Sequence, residues 1–210
     1  MKTSKIILIS ILGSLIIWIT AVFFTATAKI KHLLKENGFE QTEKVKKVDN
    51  GKTLKLENFS IISVAGKGEL TIQQSNENSF QYFSDKENKP EVKNDTLFFV
   101  SEGNDNFINA ENLKTVLLSD KVNVEIIDIK TDTFNIKTSD KSKAEINNLK
   151  TNVLNIFSTG KSSAELYELK NQNIASKFVL KDKSRLYIDN SNNLNMIVEK
   201  DADAKIEINN

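Results

Sequence analysis

The hydrophobic and polar positions of this chain follow two different patterns. Residues 6–24 read IILISILGSLIIWITAVFF, without one charged side chain. After residue 110, apolar and polar residues alternate in short stretches that end in polar turns. A long uncharged stretch is typical of a membrane-spanning helix, and strict alternation is typical of strands that bury one face. The pattern predicts one N-terminal hydrophobic segment followed by an all-β domain.

The alternating region is also repetitive. Its copies have a strand, a turn and a second strand, and three of them align at a spacing of twenty residues. The aligned apolar positions are Val116, Ile126 and Ile129, then Ile136, Ile146 and Leu149, then Ile156, Leu166 and Leu169. Two later copies span Phe178–Ile188 and Leu194–Ile208, and an earlier one spans Ile62–Ile72. Self-similarity at a fixed period indicates stacked structural units.

We therefore predict a single-domain, β-helix-like β-solenoid over residues 48–210, with coils of about twenty residues. Ile136 should lie between Val116 and Ile156, about 4.8 Å from each, which is the spacing of adjacent strands. Ile146 should lie between Ile126 and Leu166 in the same way. A degenerate copy is expected at residues 80–100, with strands at 80–82 and 97–99 joined by an enlarged turn at 85–95.

The N-terminal segment has two interpretations. Nineteen residues of helix would span about 28 Å, close to the thickness of a bilayer core, which favours an uncleaved anchor. The small residues of Ala26-Thr27-Ala28 would instead fit the exit of a cleaved secretory signal. We favour a single-pass anchor at residues 1–28, with its apolar core at 6–24, a juxtamembrane stalk at 29–47 and residues 29–210 outside the cytoplasm. Cleavage would make the protein periplasmic or secreted.

One lysine recurs at the predicted turn of each coil. The turn position is Gly66, Asp120, Asp140, Gly160 or Asp182, residue types that tolerate a left-handed backbone. A lysine follows each time, at Lys67, Lys121, Lys141, Lys161 and Lys183. This lysine column is the candidate ligand surface, because a basic ladder could bind an anionic polysaccharide. We favour a solvated corner, since the adjoining aspartates offset much of the charge.

Two acidic columns raise other possibilities. The turn aspartates could bind calcium, whose ligands are carboxylates and carbonyls, but Gly160 interrupts the column and turn geometry explains it. Glu125, Glu145 and Glu165 should point outward on a strand. They could be acid/base carboxylates, but glycoside hydrolysis needs a pair flanking the scissile bond, and a straight outward ladder has no cleft. We expect a solvated face and no metal or cofactor.

Composition narrows the function further. The net charge is +1 and cysteine is absent, which disfavours nucleic-acid binding and excludes disulfides, cysteine-ligated metals and a cysteine nucleophile. The only histidine, His32, lies in the predicted stalk, and Arg185 is the only arginine. A Ser-His-Asp triad inside the repeats is therefore impossible, and we predict a protein that is not an enzyme.

Residues 59–74, FSIISVAGKGELTIQQ, resemble the opening of the head GIN domain family of auto-transporter adhesins from Bacteroidetes-type bacteria. Lys93–Leu97 is similar to the family's next landmark, a polar turn before an apolar strand. The resemblance covers about residues 48–210 and implies an all-β solenoid exported beyond the cytoplasmic membrane. Lysine and aspartate stand in the turns where the family has glycine and serine.

These observations together predict a non-enzymatic cell-envelope protein that serves adhesion or envelope organisation. Its expected partners are the membrane, through the N-terminal helix, and a cell-surface glycan or an envelope protein. Two alternatives stay open: a polysaccharide-active β-helix enzyme, and an envelope stress or signalling sensor.

Overall fold

A computed structural model describes residues 51–83, 88–102, 106–170, 174–189 and 194–209. Contacts along the chain separate two units, Met1–Asp49 and Asn50–Asn210, and the described residues all belong to the second. The predicted anchor, stalk and His32 lie outside the described residues. Within the described ranges, no helix has the length and apolar character that a membrane crossing requires.

The described part of the second unit is all-β. Its seventeen strands are β1 Lys52–Lys55, β2 Ile61–Gly66, β3 Glu69–Gln74, β4 Ser79–Tyr82, β5 Glu91–Lys93, β6 Thr96–Ser101, β7 Asn106–Ala110, β8 Thr115–Leu118, β9 Asn123–Ile127, β10 Thr133–Thr138, β11 Lys143–Asn147, β12 Val153–Ser158, β13 Ser163–Tyr167, β14 Ile174–Leu180, β15 Arg185–Asp189, β16 Leu194–Lys200 and β17 Lys205–Asn209. Most show the alternating burial that the sequence pattern predicts, as in Phe134 and Ile136 of β10.

The strands form two mixed sheets. Sheet A has the order β1-β4-β7-β3-β9-β11-β13-β15-β17, and sheet B has the order β16-β14-β12-β10-β8-β2-β6-β5. From β8 onward, successive strands alternate between the two sheets. Each strand from β10 to β17 pairs in parallel with the strand two places before it. One hydrophobic core contains side chains from both sheets.

The predicted stacking of apolar side chains is confirmed. Ile136 pairs in register with Val116 and with Ile156. Ile146 pairs with Ile126 and Leu166 in the same way. Parallel pairing at an offset of twenty residues places equivalent side chains of neighbouring copies above one another. The core is therefore a set of aliphatic columns that run across the strands.

The arrangement before residue 115 differs from the prediction. Residues 80–82 and 97–99 are not the two strands of one copy. Each other copy has a strand of sheet B followed by a strand of sheet A, whereas β4 lies in sheet A, precedes β6 of sheet B and pairs antiparallel with β7. The additional copy is β6 with β7, at residues 96–110. It pairs with β2 and β3 on one side, while β8 and β9 pair with β2 and β3 on the other. The copy at 61–74 therefore lies between two copies that follow it in sequence. Alternation alone does not encode this crossed order.

Candidate functional surface

The predicted turn column has the expected backbone. The φ angles of Asp120, Asp140 and Asp182 are 63°, 60° and 57°, and those of Gly66 and Gly160 are 112° and 70°. All five residues are left-handed, which explains the choice of glycine and aspartate. At Gly66 the requirement is strict, because an added Cβ would lie 2.1 Å from the carbonyl oxygen of Ser101.

The turn aspartates also hold neighbouring copies together. The amide of Gly66 donates to an Asp120 carboxylate oxygen at 3.2 Å, and the amide of Gly160 donates to Asp182 at 3.0 Å. The amide of Asp182 in turn donates to Asp201 at 3.1 Å. In the described part of the chain, no three His, Cys, Asp or Glu side chains are grouped so that they could bind a metal. The carboxylates of Asp120, Asp182 and Asp201 therefore accept backbone hydrogen bonds, while that of Asp140 accepts one from the Ser139 hydroxyl.

The five residues of the predicted lysine column are exposed at this corner. Four of them line a shallow open groove of about 610 Å³, together with the turn residues: Lys67, Lys121, Lys141 and Lys161. Asp120 and Asp140 line the same groove, so the lysines stand beside carboxylates. The structure brings four lysines of the column together beside carboxylates, so this corner carries both signs of charge.

The glutamate column lies on the outer face of sheet A. Glu145 pairs in register with Glu125 on one side and with Glu165 on the other. The amino group of Lys143 lies 2.9 Å from a Glu165 carboxylate oxygen and 3.6 Å from one of Glu145. Its hydrogen bond to Glu165 is the main reason that the pKa of Lys143 is raised. This lysine relieves the repulsion between the two carboxylates.

Two tyrosines extend this face, and sequence reasoning missed them. The hydroxyl of Tyr167 donates to Glu165 at 3.1 Å. Tyr187 follows Glu165 in the column, and its ring centroid lies 5.6 Å from that of Tyr167. Partial burial, helped by the nearby Glu165 carboxylate, raises the pKa of Tyr167 to about 12. The available signal was an aromatic residue at outward positions of adjacent strands, two residues apart in register.

We name this surface the sheet A ladder. It comprises Lys143, Glu145, Glu165, Tyr167, Arg185, Tyr187, Lys205 and Glu207. One groove of about 270 Å³ is lined by the two tyrosines, Glu165 and three further charged residues, Arg185, Lys205 and Glu207. A second groove of about 460 Å³ lies further along the same face, where Thr71 is flanked by Phe107 and Glu125. The ladder therefore combines aromatic rings, both signs of charge and shallow concavities.

A second left-handed corner also escaped prediction. Asp128, Asn148 and Glu168 have φ angles of 58°, 57° and 51°, and the Asn148 amide donates to the Asp128 carboxylate. These residues follow β9, β11 and β13 and turn the chain toward Ile129 and its equivalents. The twenty-residue spacing of Asp128 and Asn148 was the missed signal, because both residue types tolerate this conformation.

The outer face of sheet B has a different chemistry. Phe98 and Val100 are about half exposed on β6. Further along, the Lys137 and Lys181 amino groups lie 5.5 and 5.8 Å from the centre of the Phe157 ring. The described residues of this face are mainly apolar and basic, with one ion pair between Lys177 and Glu199, and do not show the tyrosine–carboxylate arrangement of the sheet A ladder.

Comparison with known proteins gives similarity to solved structures only. No protein-family model and no curated protein matches the chain. A putative lipid binding protein from Parabacteroides distasonis ATCC 8503 is 11% identical, with a TM-score of 0.48 and coverage of 75% of each chain. A putative adhesin from Bacteroides fragilis NCTC 9343 is 15% identical, with a TM-score of 0.40 and coverage of 76% of this chain and 96% of that one. A putative adhesin from Parabacteroides merdae ATCC 43184 is 13% identical, with a TM-score of 0.31 and coverage of 77% and 96%.

Proposed function

We propose that this chain is a non-enzymatic cell-envelope protein whose β-domain is a solenoid that binds a linear, uncharged glycan along the sheet A ladder. One observation carries the proposal: outward side chains of the same type repeat in register on consecutive strands, as Glu145 and Glu165 of the ladder do, in line with Glu125 just beyond it. A linear polymer also repeats, so one ladder can offer equivalent contacts to successive units.

Rigidity favours binding by such a ladder. Its residues stand on strands whose inward neighbours, such as Ala144, Ile146 and Leu166, are fully buried. Lys143 is held by two carboxylates, and Tyr167 is held by one. Side chains that are already ordered lose little entropy when a ligand arrives.

The chemistry of the ladder suits a hydroxyl-rich ligand. A tyrosine ring offers an apolar face with a polar tip, which fits a sugar ring that has an apolar face and polar edges. Carboxylates accept hydrogen bonds from hydroxyl groups, and guanidinium and ammonium groups donate them. The cations Lys143, Arg185 and Lys205 are balanced by Glu145, Glu165 and Glu207. Such a balance gives no net attraction for a polyanion, so the ladder favours an uncharged glycan.

The cellular setting comes from the sequence. Residues 6–24 would anchor the chain in the cytoplasmic membrane, and residues 29–210 would lie outside the cytoplasm. The likeness of residues 59–74 to the head GIN domain family supports an exported adhesin-like role, in adhesion or envelope organisation. Alkaline extraction of membranes and the intact mass of the extracted protein test the anchor. Loss of residues 1–28 would instead indicate a secreted domain.

Binding is tested on a glycan array with the purified chain at low and physiological salt. We expect one class of uncharged glycan to bind, with little salt dependence, and we expect the double substitution E165Q/Y187A to weaken binding at least tenfold. The matched control is the triple change of the lysine column, K121Q/K141Q/K161Q, which should bind as the wild type does.

Three results would contradict the proposal. No binding to any uncharged glycan would refute the ligand class, and loss of binding in the lysine variant alone would move the site to the corner. Release of new reducing ends from a bound glycan would show an enzyme.

A further inference from the structure

The two ends of the β-domain are finished differently. At the β1 and β5 end, antiparallel strands cover the stack, and aromatic side chains close the core. The Phe80 ring lies 5.0 Å from Phe99 and 5.7 Å from Tyr82, and both phenylalanines are buried. The outermost strand of sheet B at this end, β5, has only three residues and follows Pro90. Short, charged or proline-flanked edge strands resist further pairing.

The opposite end is open. Here β16 and β17 are the last strands of sheets B and A, and each pairs on one side only among the described strands. No further described strand packs over the inward-facing apolar side chains of β16 and β17. Val198 lies over the fully buried Phe178 but is itself 42% exposed, and Ile208 lies over the fully buried Ile188 but is 40% exposed. Ile197 lies on the outer face of β16, in register with Lys177, and is 64% exposed. A stacked-repeat protein normally has a polar cap at such an end.

One polar feature closes only a corner of this end. Lys200 pairs in register with the buried Leu180, so a charged side chain stands where the apolar column would continue. Its amino group turns away from the core and donates to the carbonyl oxygen of Ala204 at 3.4 Å. No described strand covers the apolar ends of the columns at Val198 and Ile208 or pairs with the backbone along the outer edges of β16 and β17.

We infer that this end is a dimerisation surface, and that its occupant is a second copy of the same chain. Antiparallel pairing of β17 with its counterpart, centred on Ile206, would place Lys205 opposite Glu207 of the second copy and Glu207 opposite its Lys205. Both residues are exposed on the outer face, so a two-fold axis would create two equivalent ion pairs there. A two-fold interface uses the same patch on both subunits, and this patch complements itself in charge. The pairing would also extend each sheet and cover the ends of the apolar columns.

The first test is the mass of the full-length chain in mild detergent, measured by light scattering after size exclusion and by sedimentation velocity. We expect a dimer for the wild type and a monomer for V198K/I208K. The matched control is F98K/V100K, which charges two equally exposed apolar residues on β6 and should stay dimeric. Circular dichroism reports whether each variant keeps its strands.

A charge-swap series tests the register and does not depend on core substitutions. K205E would place like charges opposite each other, and we expect its dimer dissociation constant to rise at least tenfold. The double variant K205E/E207K restores opposite charges and should dimerise as the wild type does. Three results would overturn the inference: a monomeric wild type at all concentrations, a dimeric V198K/I208K, or a double swap no better than K205E.

Discussion

The stacked columns make a sharp prediction about one buried residue. Ile146 has no exposed surface and lies between Ile126 and Leu166. Replacing a buried isoleucine by a small residue costs about 2–5 kcal/mol. In I146D the new carboxyl must also be buried without a partner, which can raise its pKa by up to about 3–5 units. At about 1.4 kcal/mol per unit, the electrostatic penalty alone reaches about 4–7 kcal/mol, comparable with the lower end of the stability of an ordinary domain, about 5–15 kcal/mol.

We expect I146D to lower the free energy of unfolding by at least about 5 kcal/mol at neutral pH. The penalty should depend on pH. The folded-state pKa of the introduced aspartate lies above its unfolded value of about 3.9, so the unfolded state ionises first as pH rises. The electrostatic part is therefore absent below about pH 4 and grows at higher pH.

The assay is urea unfolding followed by circular dichroism, for the wild type, I146D and the neighbouring E145Q. Glu145 is partly exposed and faces outward beside Lys143, so E145Q should cost about 0.5 kcal/mol or less. Similar losses at residues 145 and 146 would refute the inward and outward assignment of β11. A penalty in I146D that does not change with pH would refute the burial of an unpaired carboxyl.

Three further predictions concern the corners and the ladder. In thermal melts, G66A should lower the free energy of unfolding by more than about 3 kcal/mol, because its Cβ would overlap a carbonyl oxygen. The free energy of unfolding of G160N should stay within about 1 kcal/mol of the wild type, since equivalent corners carry aspartate. The triple lysine change K121Q/K141Q/K161Q should lower stability by less than about 0.5 kcal/mol per site in urea melts. A larger loss would show that these lysines stabilise the fold. Ultraviolet titration should give Tyr167 a pKa near 12, with stability falling as pH rises from 10 to 12, and E165Q should lower that pKa; an unchanged value would refute the role of the carboxylate.

Sequence reasoning predicted the parts of the fold that repeat. Strand alternation and a constant offset fix which side chains share a column, so the positions of Ile136 and Ile146 followed directly. The left-handed corner beside the lysine column followed from glycine and aspartate, which tolerate that backbone, whereas the second corner at Asp128, Asn148 and Glu168 did not. Periodicity, however, describes neighbours in sequence. It gave no indication that residues 96–110 pair outside residues 61–74, because this pairing depends on long-range contacts.

The candidate surface was less predictable. The lysine column was the most regular polar feature of the sequence, but its lysines share their corner with carboxylates. The ladder depends on contacts between different columns, such as that of Lys143 with Glu165 on the next strand. A single aligned column does not show such a contact. Tyr167 and Tyr187 lie in neighbouring columns on adjacent strands, so a search for one repeated residue type passed over them.

The crossed order of the first copies has a consequence for how the domain is completed. The strands at residues 61–74 meet one neighbour only after residue 110 has been made or exported, and the other only after residue 127. They have two open edges until residue 110 and one open edge until residue 127. Each later copy, in contrast, adds to a finished edge formed by the copy just before it. Residues 51–127 must therefore close as one unit, while the remaining copies can be added in sequence, so a change in copy number is tolerable only after residue 127.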